Sequence, residues 1–195
     1  MVKLKTLSFL ITTILLVQTL HSQNFNLSNN SSITISGTSS LHDWDVEVES
    51  FSGNILFNDF ENMDISDIKI NVISESLKSG KKGMDKNTYK ALKTKDHKNI
   101  LFQFSKVESI SKIDDSSYRI NGQGQLSITG VTKDVNIDFL LSKNDLENGE
   151  GTCSITGSCT INMTDFGIEP PKALLGTIKT GEVIKVKFNT SFFKE

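Results

Sequence analysis

A two-residue alternation of apolar and polar side chains runs through most of the chain beyond residue 30. The run 151–163 is the clearest case, because its odd positions are apolar or small and its even positions carry hydroxyl or amide groups. This period is typical of a β-strand with one buried face. Nine such runs are predicted strands: 31–37, 44–50, 53–57, 67–73, 99–107, 117–128, 133–141, 151–163 and 181–193.

A single stretch, 84–95, has the spacing of a helix instead. Met84, Thr88 and Leu92 recur at intervals of four residues, and Asp85 is the predicted N-cap. The pattern therefore predicts one short helix within an otherwise all-β domain.

Short turns join most of the predicted strands, which favours an antiparallel barrel or sandwich. Each long strand has one polar and one apolar face, and this favours a closed wall of about eight strands around an apolar interior. Several inward positions are small, among them Gly122, Gly124 and Gly157. Two interpretations stay open: these residues leave room for a cavity, or they mark bends and bulges.

The N-terminus has the layout of a secretory signal peptide. Lys3 and Lys5 precede the apolar run 7–17, and Ser22 is a small residue at a plausible cleavage point before Gln23. We therefore predict a signal peptide over 1–22 and a mature domain over 23–195. A membrane anchor is the less favoured alternative, because a span needs about 20 apolar residues.

The charge of the chain narrows the classes of partner. Its formal net charge is −2, and removal of Lys3 and Lys5 with the signal would leave −4. Weak acidity argues against nucleic acid or an anionic membrane as the main partner. We expect no stable membrane insertion after the signal is removed, and a periplasmic or secreted protein.

The two cysteines lie on the same strand face. Cys153 and Cys159 are six residues apart, so a continuous strand would hold them about 20 Å from each other. A disulfide needs Cα atoms within about 7 Å, so we predict two free, inward thiols. The competing interpretation places a hairpin turn at 156–158, which would permit a bridge.

The segment 37–49 contains the only tryptophan and a candidate catalytic cluster of Ser40, His42 and Asp43. Side chains of adjacent residues in an extended chain point to opposite faces, so Asp43 would not hold the imidazole as a triad requires. His42 and His97 lack the clustered partners of a metal site. We therefore predict no enzyme and no metal centre.

A corner between two strands explains this segment better. Thr38, Ser39 and Ser40 are turn formers, and Asp43 can hydrogen-bond to nearby backbone. Trp44 combines a large apolar ring with one N–H donor, so we expect it to cover a barrel end or line a cavity mouth.

Four segments of the chain resemble the YceI-like family of secreted, lipocalin-like proteins. They are 37–47, which contains "GTSSLHDW", and 83–104, 120–139 and 157–189. They occur in the family's order and span nearly all of the predicted mature chain. The chain departs from the family in having His97-Lys98-Asn99 where a proline often stands, and in its cysteine pair.

The resemblance implies an extended eight-stranded antiparallel barrel with a helix over one end. It also implies an interior that binds a long isoprenoid, such as a polyprenyl chain or quinone tail, or a similar amphiphile, with no other cofactor. The alternative is a stress-response or interaction module whose barrel core is full. The predicted ligand-binding residues are Trp44, Ile70, Val72, Met84, Leu92, Phe102, Phe104, Leu126, Ile128, Ile137, Phe139, Ile155, Ile161 and Phe166, with Met84 and Leu92 on a lid.

Overall fold

The computed structural model describes residues 22–144, 151–173 and 176–194. The predicted signal peptide, apart from Ser22, lies outside these residues. Among the helices that the structure describes, none has the length and apolar character needed to cross a membrane.

The described residues form twelve strands, one α-helix and two short 3₁₀ helices. The strands are β1 Gln23–Leu27, β2 Ser32–Ser39, β3 Trp44–Val48, β4 Phe51–Asp59, β5 Asp64–Ile73, β6 Leu77–Lys78, β7 Asn99–Lys112, β8 Ser117–Ile128, β9 Val131–Asn144, β10 Thr152–Asn162, β11 Lys172–Ala173 and β12 Ile178–Lys194. The helix α1 is Lys82–Ala91, and the 3₁₀ helices are Ser74–Ser76 and Met163–Phe166.

These strands build one closed antiparallel barrel with eight long strands in its wall. Two of the eight are bent strands that are interrupted in the middle: β1 continues into β2, and β3 continues into β4. These two bent strands pair with each other along their length, β1 with β4 and β2 with β3. β12 closes the ring: it pairs with β10 on one side and with both β2 and β1 on the other. The predicted barrel with one helix is confirmed.

The alternation along β10 passes through Gly157 without a change of phase. Cys153 pairs with Phe192, Gly157 with Phe188, and the strand continues to Asn162. The predicted continuous strand is confirmed, and both cysteines are free. Burial raises the pKa of the Cys153 thiol to about 12.

Phenylalanine rings from neighbouring strands occupy the space above the inward glycines. The ring of Phe102 lies over Gly124, and that of Phe188 lies over Gly157, so a Cβ at either glycine would collide with a ring. The pairing of β7 with β8 also shifts register just after Phe104, opposite Gly122 and Gly124. Both facts favour close packing and bulges over the cavity interpretation of the small residues.

The barrel core is solid at one end. There the rings of Phe25, Phe57 and Phe60 stack with centroids 4.5–5.3 Å apart, and we call these three rings the aromatic plug. Phe25 and Phe57 have no exposed surface. Such edge-to-face and tilted pairs stabilise a core beyond the burial of their area. The plug lies where β1 pairs with β4 and β12, so it seals this end of the barrel.

Helix α1 begins at Lys82, after Lys81 as its N-cap, and not at Asp85. The prediction of Asp85 as N-cap was wrong. Asp85 lies inside the first turn, where its carboxylate accepts hydrogen bonds from the backbone N–H (2.8 Å) and the hydroxyl (2.6 Å) of Ser79. Gly80, at a φ of +73°, reverses the chain so that Ser79 comes within reach.

Candidate ligand-binding cavity

The barrel contains a cavity of about 520 Å³, whose mouth lies at the end opposite the plug. It follows the inward face of β12 from Ile178 to Phe192, a strand path of roughly 45 Å. The cavity is lined by the inward side chains of the barrel strands, and most of these are Ile, Val, Leu or Phe. A volume of about 300–1,000 Å³ is usual for a small-molecule site.

Helix α1 forms part of the wall at the mouth. Its residues Met84, Asn87, Thr88 and Ala91 line the cavity. Spacings of three and four residues place these side chains on one face of the helix. Leu92, just past the helix, is buried on the same side.

Most of the residues predicted from the sequence meet in this cavity. Those that line it are Trp44, Ile70, Val72, Met84, Leu92, Phe102, Leu126, Ile128, Ile137, Phe139, Ile155 and Ile161. That they contact a ligand stays a prediction.

Two predicted residues, Phe104 and Phe166, do not line the cavity. The ring of Phe104 lies over Gly122 and packs edge-on against Phe139, with centroids 6.1 Å apart, so it belongs to the solid core. Phe166 follows the end of β10 in a 3₁₀ helix, where the strand alternation no longer applies. It is buried in the surrounding core without reaching the cavity.

Other residues that line the cavity were not among the ligand-binding residues predicted from the sequence. Ile35, Val46 and Val186 face inward on β2, β3 and β12, and the period-two alternation that identifies these strands also marks them. Lys81 and Lys172 lie at the mouth beside connecting segments, where no periodic pattern signals an inward position.

The segment between β2 and β3 is the predicted corner. The Ser39 hydroxyl donates to the carbonyl of His42 (2.7 Å) and accepts from the backbone N–H groups of Leu41 and His42 (3.2 Å each). Ser39, and not Asp43, therefore supplies the side chain that holds this turn in the described contacts.

Trp44 is fixed at the mouth by its single donor. The indole N–H donates to the Thr38 carbonyl at 3.0 Å. Its ring lies over Gly37, its partner on β2, where a Cβ would collide with it. Trp44 therefore lies at the corner between β2 and β3 and lines the cavity; that it contacts a ligand stays a prediction.

The candidate triad residues serve the backbone of this corner. The Ser40 hydroxyl accepts from the Lys179 N–H at 3.1 Å. The Nδ1 of His42 donates to the carbonyl of Asp43 at 2.6 Å. A triad would instead need the imidazole between the hydroxyl and the carboxylate.

Polar lining residues gather at the mouth. They include Ser39, His42, Lys81, Asn87 and Lys172. Deep in the barrel, the Thr190 hydroxyl also lines the cavity, but it donates to the carbonyl of Ile155 at 3.2 Å. The cavity is therefore an apolar interior with a polar rim, which suits an amphiphile.

The family model of the YceI-like domain matches residues 24–192. The chain belongs to the YceI-like family. A comparison with curated proteins gave no match.

Solved structures of three bacterial proteins share the YceI-like fold of this chain. A polyisoprenoid binding domain from Saccharophagus degradans, implicated in plant cell wall breakdown, has a TM-score of 0.67 at 10% identity, covering 90% of this chain and 100% of that one. BcnA from Burkholderia cenocepacia has a TM-score of 0.63 at 14% identity, covering 83% and 95%. The YCEI protein of Campylobacter jejuni has a TM-score of 0.60 at 16% identity, covering 76% and 83%. At these identities the likeness establishes the fold.

Proposed function

We propose that this YceI-like protein is a non-enzymatic carrier or sequestering protein for an isoprenoid lipid or similar amphiphile. The apolar chain of the ligand occupies the barrel cavity, and the protein works in the periplasm or outside the cell. The cavity of about 520 Å³, closed by the aromatic plug and bounded mainly by hydrocarbon side chains, is the observation that carries this proposal.

Binding is driven by transfer of apolar ligand surface out of water. Each 100 Å² of such surface contributes about 2.5 kcal/mol before the entropic cost of association. The barrel wall needs little rearrangement to accept a ligand, because each strand of the wall is paired with a neighbour on both sides. The empty volume counts against the alternative of a module with a filled core, since protein interiors otherwise pack without large voids.

A structural neighbour supports the choice of an isoprenoid. The Saccharophagus degradans structure is described as a polyisoprenoid binding domain, and its fold covers 90% of this chain. The proposal extends that ligand class to this protein on the basis of the shared family and the apolar cavity.

Secretion is proposed from the sequence of 1–22. N-terminal sequencing of protein recovered from its source should begin at Gln23. A mature chain that begins at Met1 would contradict the signal peptide.

Native mass spectrometry of protein purified from its source tests ligand binding. We expect a co-purified lipid that survives gentle ionisation and is released by organic extraction. Cys159→Phe adds a ring inside the cavity and should abolish lipid retention. Thr160→Phe is the matched control, because Thr160 is the next residue on β10 and its exposed side chain points out of the barrel. A lipid-free wild type that also fails to take up farnesol would overturn the proposal.

A further inference from the structure

Among the described residues that line the cavity, the charged side chains are two lysines. Lys81, the N-cap residue of α1, and Lys172, in β11, lie at the mouth, with His42 on the corner between β2 and β3. Among the described lining residues there is no Asp or Glu. We propose that the amphiphile carries an anionic head group, a phosphate or a carboxylate, which Lys81 and Lys172 bind at the mouth. This inference rests on the proposed lipid-binding function and names the ligand class within it.

Away from the mouth, the described residues that line the cavity include no cationic side chain that could hold an anion. The Thr190 hydroxyl is engaged by the Ile155 carbonyl, and Cys159 is a half-buried thiol whose pKa burial raises, so it stays neutral. Moving an unpaired charge into such surroundings costs several kcal/mol. A charged head group therefore stays at the mouth while its apolar tail extends toward the plug.

Lys81 is the more available of the two lysines. Lys172 lies 3.4 Å from Glu169 in an exposed ion pair, with which an incoming anion would compete. Lys81 forms no ion pair with any residue in the described part of the chain. An ammonium without a fixed partner beside an apolar cavity is well placed for a charge-assisted hydrogen bond to phosphate or carboxylate.

The surroundings of Lys81 strengthen the attraction. Lys82, Lys86 and Lys90 form an exposed stripe on the outer face of α1, at intervals of four residues. The segment 81–98 holds seven Lys and two Asp, a net +5 in a chain whose net charge is −2. A local positive field of this kind raises the concentration of anionic ligands at the mouth and increases their rate of capture.

Two ligands with the same tail and different charge test the inference. Farnesyl monophosphate and farnesol are each used to displace the neutral dye N-phenyl-1-naphthylamine from the lipid-free protein. We expect the phosphate to bind roughly tenfold more tightly at low salt, which corresponds to one hydrogen bond to a charged group. This advantage should shrink in 0.5 M NaCl, where exposed charges are screened. Laurate and dodecanol form a parallel pair, and they distinguish a general preference for anions from one for phosphate.

Lys81→Met keeps most of the side chain and removes its charge. It should reduce the preference for farnesyl phosphate over farnesol several-fold, and a far-UV circular dichroism spectrum identical to that of the wild type shows that the variant is folded. Lys172→Met should have a smaller effect in the same direction, because Lys172 already has a partner. Lys95→Met, an exposed lysine of the same segment that does not line the cavity, is the matched control.

Equal affinities for phosphate and alcohol in the wild type would overturn the inference while leaving the proposed lipid binding intact. An equal effect of Lys81→Met and Lys95→Met would also overturn it, because the preference would then reflect overall charge and not the mouth. Failure of both farnesyl compounds to displace the dye would overturn the proposed function and this inference together.

Discussion

Two phenylalanines in different parts of the barrel should differ greatly in their contribution to stability. Phe57 belongs to the aromatic plug, has no exposed surface, and lies 5.3 Å and 5.2 Å from the rings of Phe25 and Phe60. Phe188 lines the cavity and is only partly buried. We expect Phe57→Ala to destabilise the lipid-free protein substantially more than Phe188→Ala.

The magnitudes follow from what each substitution leaves behind. Phe57→Ala removes a fully packed ring and creates a closed void, which typically costs about 3–5 kcal/mol. Phe188→Ala enlarges a cavity that already exists, so its cost is close to the transfer term for a half-buried side chain, about 1–2 kcal/mol. The expected difference is therefore about 2–3 kcal/mol.

Urea unfolding followed by far-UV circular dichroism measures both values, provided that the denaturant slope is unchanged. Because a domain of this size has a total stability of about 5–15 kcal/mol, Phe57→Leu is a milder variant that keeps the plug measurable. Dye displacement gives an independent readout, since Phe188→Ala should change affinity and Phe57→Leu should not. Equal losses of stability, or a larger loss for Phe188→Ala, would refute the division into a solid plug and an open cavity.

Three further predictions concern Trp44 at the mouth, the two cysteines of β10, and Asp85 in helix α1. Trp44, the only tryptophan, lines the cavity, so its fluorescence should shift or quench when a prenylated quinone binds, and an unchanged spectrum with binding confirmed by dye displacement would place the ligand elsewhere. Thiol labelling of denatured, unreduced protein should find two free thiols per chain, and a disulfide would contradict the continuous β10. In the native protein Cys159 should react faster than Cys153, because a pKa of about 12 keeps the Cys153 thiol protonated. Hydrogen bonds from Ser79 lower the pKa of Asp85, so its contribution to stability is present above the unfolded value of about 3.9 and is lost as the pH falls through the folded value. Asp85→Asn should therefore be less stable than the wild type at pH 7, and the two should converge at lower pH, whereas a constant difference would argue against this carboxylate.

Local pattern was sufficient to predict nine of the twelve described strands and their inward faces, but it missed β1 and the two-residue strands β6 and β11. Side chains alternate strictly in an extended chain, so the inward position of Ile155 and the separation of Cys153 from Cys159 follow from counting residues, without knowledge of any neighbouring strand. The same rule argued against the candidate triad, because His42 and Asp43 are adjacent and their side chains point to opposite faces, so Asp43 could not hold the imidazole. Helix spacing likewise identified Met84 and Leu92 as a face directed at the barrel.

Whether an inward side chain lines the cavity or packs in the solid core was decided by the tertiary structure alone. Phe102 and Phe104 have the same parity on β7, yet one borders open space and the other packs against Phe139. The difference arises from the stagger of neighbouring strands and from β12, which pairs with β1 at one end and β2 at the other, and neither is encoded in the alternation of one strand. Lys81 and Lys172 became neighbours of one cavity for the same reason, since the closed barrel brings together connecting segments that are far apart along the chain.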